Sequence, residues 1–158
     1  MLFRSPDEKK VPDEKKITIS KIGWKDKKPI FSNFSPTRLQ GVIIHHNGNA
    51  FNFVSNGGFL ELEFILIRIP EKAYLKLSHI ATKSSNISYS PINVVVNKSQ
   101  IKNGYNPRSP HGGYFEDVWE IDTKKLNIGK NKLFIQLGLD SKTTYWLRGI
   151  EIIVEEAQ

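Results

Sequence analysis

From Asn103 to Phe115 the chain reads N-G-Y-N-P-R-S-P-H-G-G-Y-F. Glycine, proline and asparagine break any regular element here, so the segment is a long irregular loop, the kind of connection that often carries function. It holds Tyr105, Arg108, His111 and Tyr114. That mixture suits sugar recognition. An aromatic face stacks on the apolar C–H face of a pyranose, while planar polar groups hydrogen-bond its hydroxyls. The plainer alternative is a loop that packs its own aromatics over the end of the domain. Two further aromatics are binding candidates: Tyr89, in the connection from Thr82 to Ser90, and Trp24, in the polar stretch from Gly23 to Pro29. A lone tryptophan serves either as a platform or as a plug, and the plug is the preferred reading.

Other chemistry finds less support. His45 and His46 are adjacent on a predicted strand and point to opposite faces, and His79 and His111 are distant in sequence, so no zinc-ligand spacing exists. No nucleophile elbow, metalloprotease motif, phosphate loop or dinucleotide fingerprint is present. Glu61 and Glu63 share a strand face and are read as solvated charges rather than as an acid/base pair. The expectation is a non-catalytic protein without metal or cofactor.

The elements that must position these residues are short and alternate at period two. Ile17 to Ile22 reads as a first strand. Val42–His46 and Phe51–Val54 flank Asn47-Gly48-Asn49 as a hairpin. Phe59–Ile69 becomes apolar on both faces toward its end, which predicts a strand covered on both sides. Further strands follow at Tyr74–Ala81, Pro91–Asn97, Val118–Asp122, Leu133–Leu137 and Tyr145–Val154, and Asn97-Lys98 begins a turn. Alternation assigns the core to Leu60, Leu62, Phe64, Leu75, Leu77, Val94, Val96, Leu133, Ile135, Leu137, Ile150 and Ile152. Trp146 and Ile150 are read as inward-facing, which would place Arg148 inward too; a bulge at Gly149 that returns Arg148 to solvent is favoured over an ion pair with Glu120 or Asp117.

The C-terminal order is specific. Trp119-Glu120-Ile121 gives W-x-I, Leu126–Leu137 gives L-x-x-G-x-N-x-L-x-I-x-L, and Tyr145–Ile152 gives Y-W-L-x-x-I-x-I. This pattern resembles the galactose-binding-like jelly rolls, a superfamily that includes many carbohydrate-binding modules. The resemblance implies an all-β jelly-roll β-sandwich of two mainly antiparallel sheets. It also implies ligand binding at loops on one sandwich end or, in some members, on a concave sheet face. The calcium motif of some members is not recognisable, so no ligands are carried over.

At 158 residues the chain suits one domain. Residues 1–15 read as a charged arm built on a short Pro-Asp-Glu-Lys-Lys repeat, and residues 16–158 as the sandwich. The formal net charge of +7 favours anionic partners. Lysines cluster at Lys25–Lys28 and around the Gly129 turn, at Lys124, Lys125, Lys130 and Lys132. No apolar run is long enough to span a membrane. The charged start and the absence of cysteine give a cytoplasmic expectation. The leading function is a lectin-like carbohydrate-binding module for a glycan, acidic ones included. A protein-interaction or assembly domain, including a homo-oligomer, is the alternative from another class. Low-specificity nucleic-acid binding by the basic surface is the third reading.

Overall fold

The computed structural model describes residues 15–81 and 88–156. Apolar residues at every second position turn nearly every segment of it into a strand: β1 (Lys16–Lys25), β2 (Lys28–Ser32), β3 (Ser35–Gln40), β4 (Val42–His45), β5 (Ala50–Phe53), β6 (Phe59–Leu66), β7 (Lys72–Ala81), β8 (Ile92–Val96), β9 (Ser99–Tyr105), β10 (Phe115–Ile121), β11 (Gly129–Leu137) and β12 (Tyr145–Glu155). Two 3₁₀ turns, His46–Gly48 and Thr123–Lys125, interrupt the run of strands. The arm lies outside the described residues except for Lys15, as does the part of the β7–β8 connection from 82 to 87.

All pairings are antiparallel. The first sheet runs β10-β7-β12-β1-β2, with β5 and β4 joined to the lower part of β12; the second runs β3-β6-β11-β8-β9. Strand β12 organises the first sheet. It pairs with β7 along its whole length, while its other edge takes β5 at Tyr145–Leu147 and β1 from Ile150 to Glu155. Most connections pass from one sheet to the other, as in a jelly roll. The result is the expected all-β sandwich.

The core between the sheets contains all twelve residues assigned by alternation, none more than 1% exposed. Each such side chain contributes roughly 1.5–3 kcal/mol relative to exposure. The prediction for β6 needs correction. Its outer face is not covered by another layer, and Ile65 and Ile67 are 42% and 83% exposed. The apolar residues there line an open hollow with Ile17 and Pro70 at the end where β1 begins.

Arg148 is the bulged residue of β12, because the register with β7 shifts between Leu147 and Gly149. The bulge was expected, but its phase was not. Tyr145 and Leu147 face inward and Trp146 faces outward, its ring edge against His45 at 4.9 Å. The extra residue then lets Ile150, Ile152 and Val154 resume the inward row.

Candidate functional site

Five connections meet at the end of the sandwich where β7, β9 and β11 finish: the β3–β4 junction, the β5–β6 loop, residues 88–91, the β9–β10 loop and the β11–β12 loop. They are laced by hydrogen bonds that the sequence encodes with short polar side chains. Asn56 donates to the carbonyls of Leu139 and Ser141 at 3.0 and 3.1 Å. Asn106 accepts from the Ser90 amide at 2.8 Å and donates to the Ser88 carbonyl at 3.2 Å. The Ala81 amide donates to the Pro107 carbonyl at 2.9 Å. The base of the β9–β10 loop is therefore pinned on two sides, and its tip projects beyond it.

That tip forms one wall of a hollow of about 400 Å³, lined by Arg108, Ser109, Pro110 and His111 on one side and by Ile80 and Ser88 on the other. Arg108 is exposed, and its guanidinium has no partner among the described residues. His111 is exposed as well; its Nδ1 accepts the Gly113 amide at 3.3 Å, which orients the ring. Tyr89 sits at the same end, exposed, with its hydroxyl donating to Asp140 at 3.1 Å. The carboxylate raises the phenol above its ordinary range.

The other candidates turn elsewhere. Tyr105 points across the open edge between β9 and β10. Its hydroxyl donates to Asp117 Oδ2 at 2.7 Å, the same oxygen that meets His79 Nε2 at 2.8 Å, while His79 Nδ1 meets the Tyr145 hydroxyl at 2.7 Å. Trp119 packs edge-on against Tyr105, and the Lys102 ammonium lies 5.3 Å from the Trp119 ring centre and 5.8 Å from that of Tyr105. This network closes the sandwich edge. Burial and the Asp117 carboxylate hold the Tyr105 phenol far above its usual range. Burial lowers the His79 imidazole, outweighing Asp117. Burial alone would raise Asp117, but hydrogen bonds from His79 and Tyr105 hold its carboxyl below the usual value.

Tyr114 lies on the outer face of the first sheet with the Arg148 guanidinium 4.0 Å from its ring centre. Arg148 also reaches the Gly48 carbonyl at 3.4 Å, and its own carbonyl accepts Trp24 Nε1–H at 2.6 Å. Trp24 packs on Phe51 at 5.4 Å. It is a plug held by the bulge. The partner of Arg148 is thus an aromatic ring rather than a carboxylate. Among the described residues no three His, Asp or Glu side chains converge where a metal could sit, and no helix is long and apolar enough to cross a membrane.

Sequence reasoning singled out this loop with Arg108 and His111 but missed the Tyr145–His79–Asp117–Tyr105 chain. Those residues lie on four strands, and only the outward-to-inward sense of β10 would have brought Asp117 to His79. It also misread Glu61, which is 8% exposed and not solvated: Thr37 donates to it at 2.8 Å and Arg38 Nη2 at 3.0 Å.

No protein-family model matches the chain, and no curated protein matches it. Solved structures do. A family 35 carbohydrate-binding module from Clostridium thermocellum superposes with a TM-score of 0.50, at 13% identity, over 87% of this chain and 96% of that one. The fold is the two-sheet β-sandwich of that module. A family GH115 4-O-methyl-α-glucuronidase with specificity for decorated arabinogalactans contains a similar unit: TM-score 0.51, 12% identity, 78% of this chain and 17% of that chain. The same fold thus makes up nearly all of one solved chain and a small part of another, and identities this low speak to the fold.

Proposed function

We propose that this jelly roll is a non-catalytic glycan-binding module whose site is the loop end around Arg108 and His111. The observation that carries the reading is the exposed Arg108, unpartnered among the described residues, on the wall of a hollow whose base is pinned by hydrogen bonds. An arginine with five donors and no acceptor of its own is suited to bonding sugar oxygens. A loop already held in place loses little entropy on binding. Tyr89 supplies the exposed ring at the same end. Tyr105 is tied to Asp117 at the sandwich edge, Trp24 plugs the bulge against Phe51, and Tyr114 shares its ring with Arg148, so none of the three enters this site. The fold shared with a carbohydrate-binding module agrees with this reading. The hydroxyl–imidazole–carboxylate chain Tyr145–His79–Asp117 has its hydroxyl and ring fully buried and closes the sandwich edge.

A glycan array followed by calorimetry on the best ligand tests it. Arg108→Ala with His111→Ala weakens binding by about tenfold or more, the loss of one to two charge-assisted hydrogen bonds, with the thermal midpoint unchanged. Tyr105→Phe does the reverse. It removes the bond to Asp117, costs about 1 kcal/mol of stability and leaves affinity intact. Equal affinity in the double variant, or no bound glycan on the array, rejects the proposal.

A further inference from the structure

The outer face of the second sheet carries a groove of about 810 Å³, about twice the volume of the loop-end hollow. We propose that this groove is a separate site for a polysaccharide bearing spaced carboxylates, with Lys98, Lys130 and Lys132 meeting the carboxylates and the Phe134 ring underlying a sugar. This site is independent of the loop end.

The alternation of β11 builds it. With Asn131, Leu133 and Ile135 buried, Lys130, Lys132 and Phe134 stand on the outer face. Register sets their neighbours: Lys132 opposite Glu63, and Phe134 between Glu61 on β6 and Val95 on β8. Phe134 is half-buried and stacks on Phe59 with ring centres 5.2 Å apart and planes at 30°. The Arg38 guanidinium covers Phe59 at 5.0 Å, so Phe134 is the ring that faces the groove.

Two asparagine side chains, Asn97 and Asn131, hold the cationic rim in place. Asn97 and Lys98 form a tight turn with φ of 50° and 68°. The Asn97 side chain donates to the Lys125 carbonyl at 2.8 Å and to Asn131 Oδ1 at 2.7 Å, and it accepts the Lys132 amide at 2.8 Å. Asn131 in turn donates to the carbonyls of Asn127 and Gly129 and accepts the Asn127 amide. The backbone that carries Lys98, Asn127, Lys130 and Lys132 is thereby one welded unit, and such preorganisation lowers the cost of binding.

Charge selects the ligand. Glu61 is occupied by Thr37 and Arg38, and Lys132 stands at 4.0 Å from it, at the limit of an ion pair. That leaves Glu63 facing three lysines, an excess of positive charge with a carboxylate still in the floor. A nucleic acid presents a phosphate at every nucleotide and would press some of them against Glu61 and Glu63, as would a densely sulfated chain. A hydroxyl-rich chain with carboxylates at intervals satisfies both signs. Its carboxylates meet the lysines, its hydroxyls donate to Glu63 and bond Asn127, and a ring C–H face lies on Phe134.

Calorimetry with an oligouronate, its carboxyl-reduced analogue, a sulfated oligosaccharide and a single-stranded oligonucleotide, each of matched length, tests the proposal. The oligouronate is expected to bind the wild-type chain and the Arg108→Ala/His111→Ala variant alike. Lys130→Ala/Lys132→Ala and, separately, Phe134→Ala each weaken it by about tenfold, while near-ultraviolet dichroism shows the fold retained. The reduced analogue binds at least about tenfold more weakly than the oligouronate at this face. The proposal fails if the oligouronate does not bind, if it binds the lysine or phenylalanine variants as well as wild type, or if the oligonucleotide or sulfated chain binds more tightly. Loss of all binding in the Arg108/His111 variant also refutes this second site while supporting the loop-end reading, so the two failures are distinguishable.

Discussion

His79 is fully buried yet hydrogen-bonded at both ring nitrogens. The neutral ring meets both demands when Nε2 donates to Asp117 and Nδ1 accepts from the Tyr145 hydroxyl. Burial, larger than the pull of Asp117, lowers its pKa from 6.5. The sign of the pH effect follows. Above about 6.5 both folded and unfolded chains leave this histidine neutral. As pH falls below that value the unfolded chain takes up a proton that the folded chain refuses, and stability is lost until the folded pKa is reached. The slope from one such group cannot exceed about 1.4 kcal/mol per pH unit. Asp117, held below 3.8 chiefly by His79 and Tyr105 against its burial, adds a second loss only below that value. Urea unfolding between pH 8 and pH 4.5 is expected to show declining stability in the wild-type chain from near pH 6.5. His79→Gln, though less stable throughout, should have a flatter profile there. Parallel profiles would mean that His79 is not the group responsible.

At the scale of the element, the sequence was legible wherever two faces of a strand differ. β7 shows this: Leu75 and Leu77 alternate with Tyr74 and Lys76, and the core residues follow without error. It was illegible where both faces are apolar or aromatic. Tyr145-Trp146-Leu147 offers three large residues in a row, and only the sheet shows that Trp146 is the outward one. Phe59–Ile69 misled in the same way, since exposed isoleucines look like buried ones. The loop end was half-legible: Arg108 and His111 stay together because local chain geometry keeps them close, whereas the direction of Tyr105 depends on Asp117 across the sandwich. Glycines show which turns tolerate change. A Cβ on Gly58 would meet the carbonyl oxygens of Gly41 and Ser55 at 2.8 Å and of Gln40 at 3.0 Å, all backbone. On Gly129 it would meet nothing within 4 Å, and only the φ of +94° opposes a side chain. Gly58→Ala should therefore destabilise by about 3 kcal/mol or more, against about 1–2 kcal/mol for Gly129→Ala. Denaturant midpoints at constant slope measure the difference, and the opposite ranking would show that the β5–β6 turn relaxes freely.

Across the whole molecule the net charge of +7 creates a general attraction for anions on top of any specific site. Ionic strength separates the two. The Debye length shrinks from about 10 Å at 0.1 M to about 3 Å at 1 M, which removes the summed field but leaves contacts made at hydrogen-bond distance. A neutral glycan held at the loop end by Arg108 and His111 carries no charge for that field to act on. Its affinity should change by less than about twofold over this range, because the hydrogen bonds and ring contact are short-ranged. An oligouronate on the outer face of the second sheet engages exposed lysines, so it should weaken steeply and progressively with salt. The expected result is two different salt slopes on one protein, measured with two ligands, with the steep slope flattened by Lys130→Ala/Lys132→Ala and the shallow one unaffected. If the neutral glycan instead weakens as steeply as the oligouronate, its affinity arises from the general basic surface and the loop-end site loses its support. If both slopes are shallow, the lysine rim does not engage the carboxylates and the outer-face site is rejected.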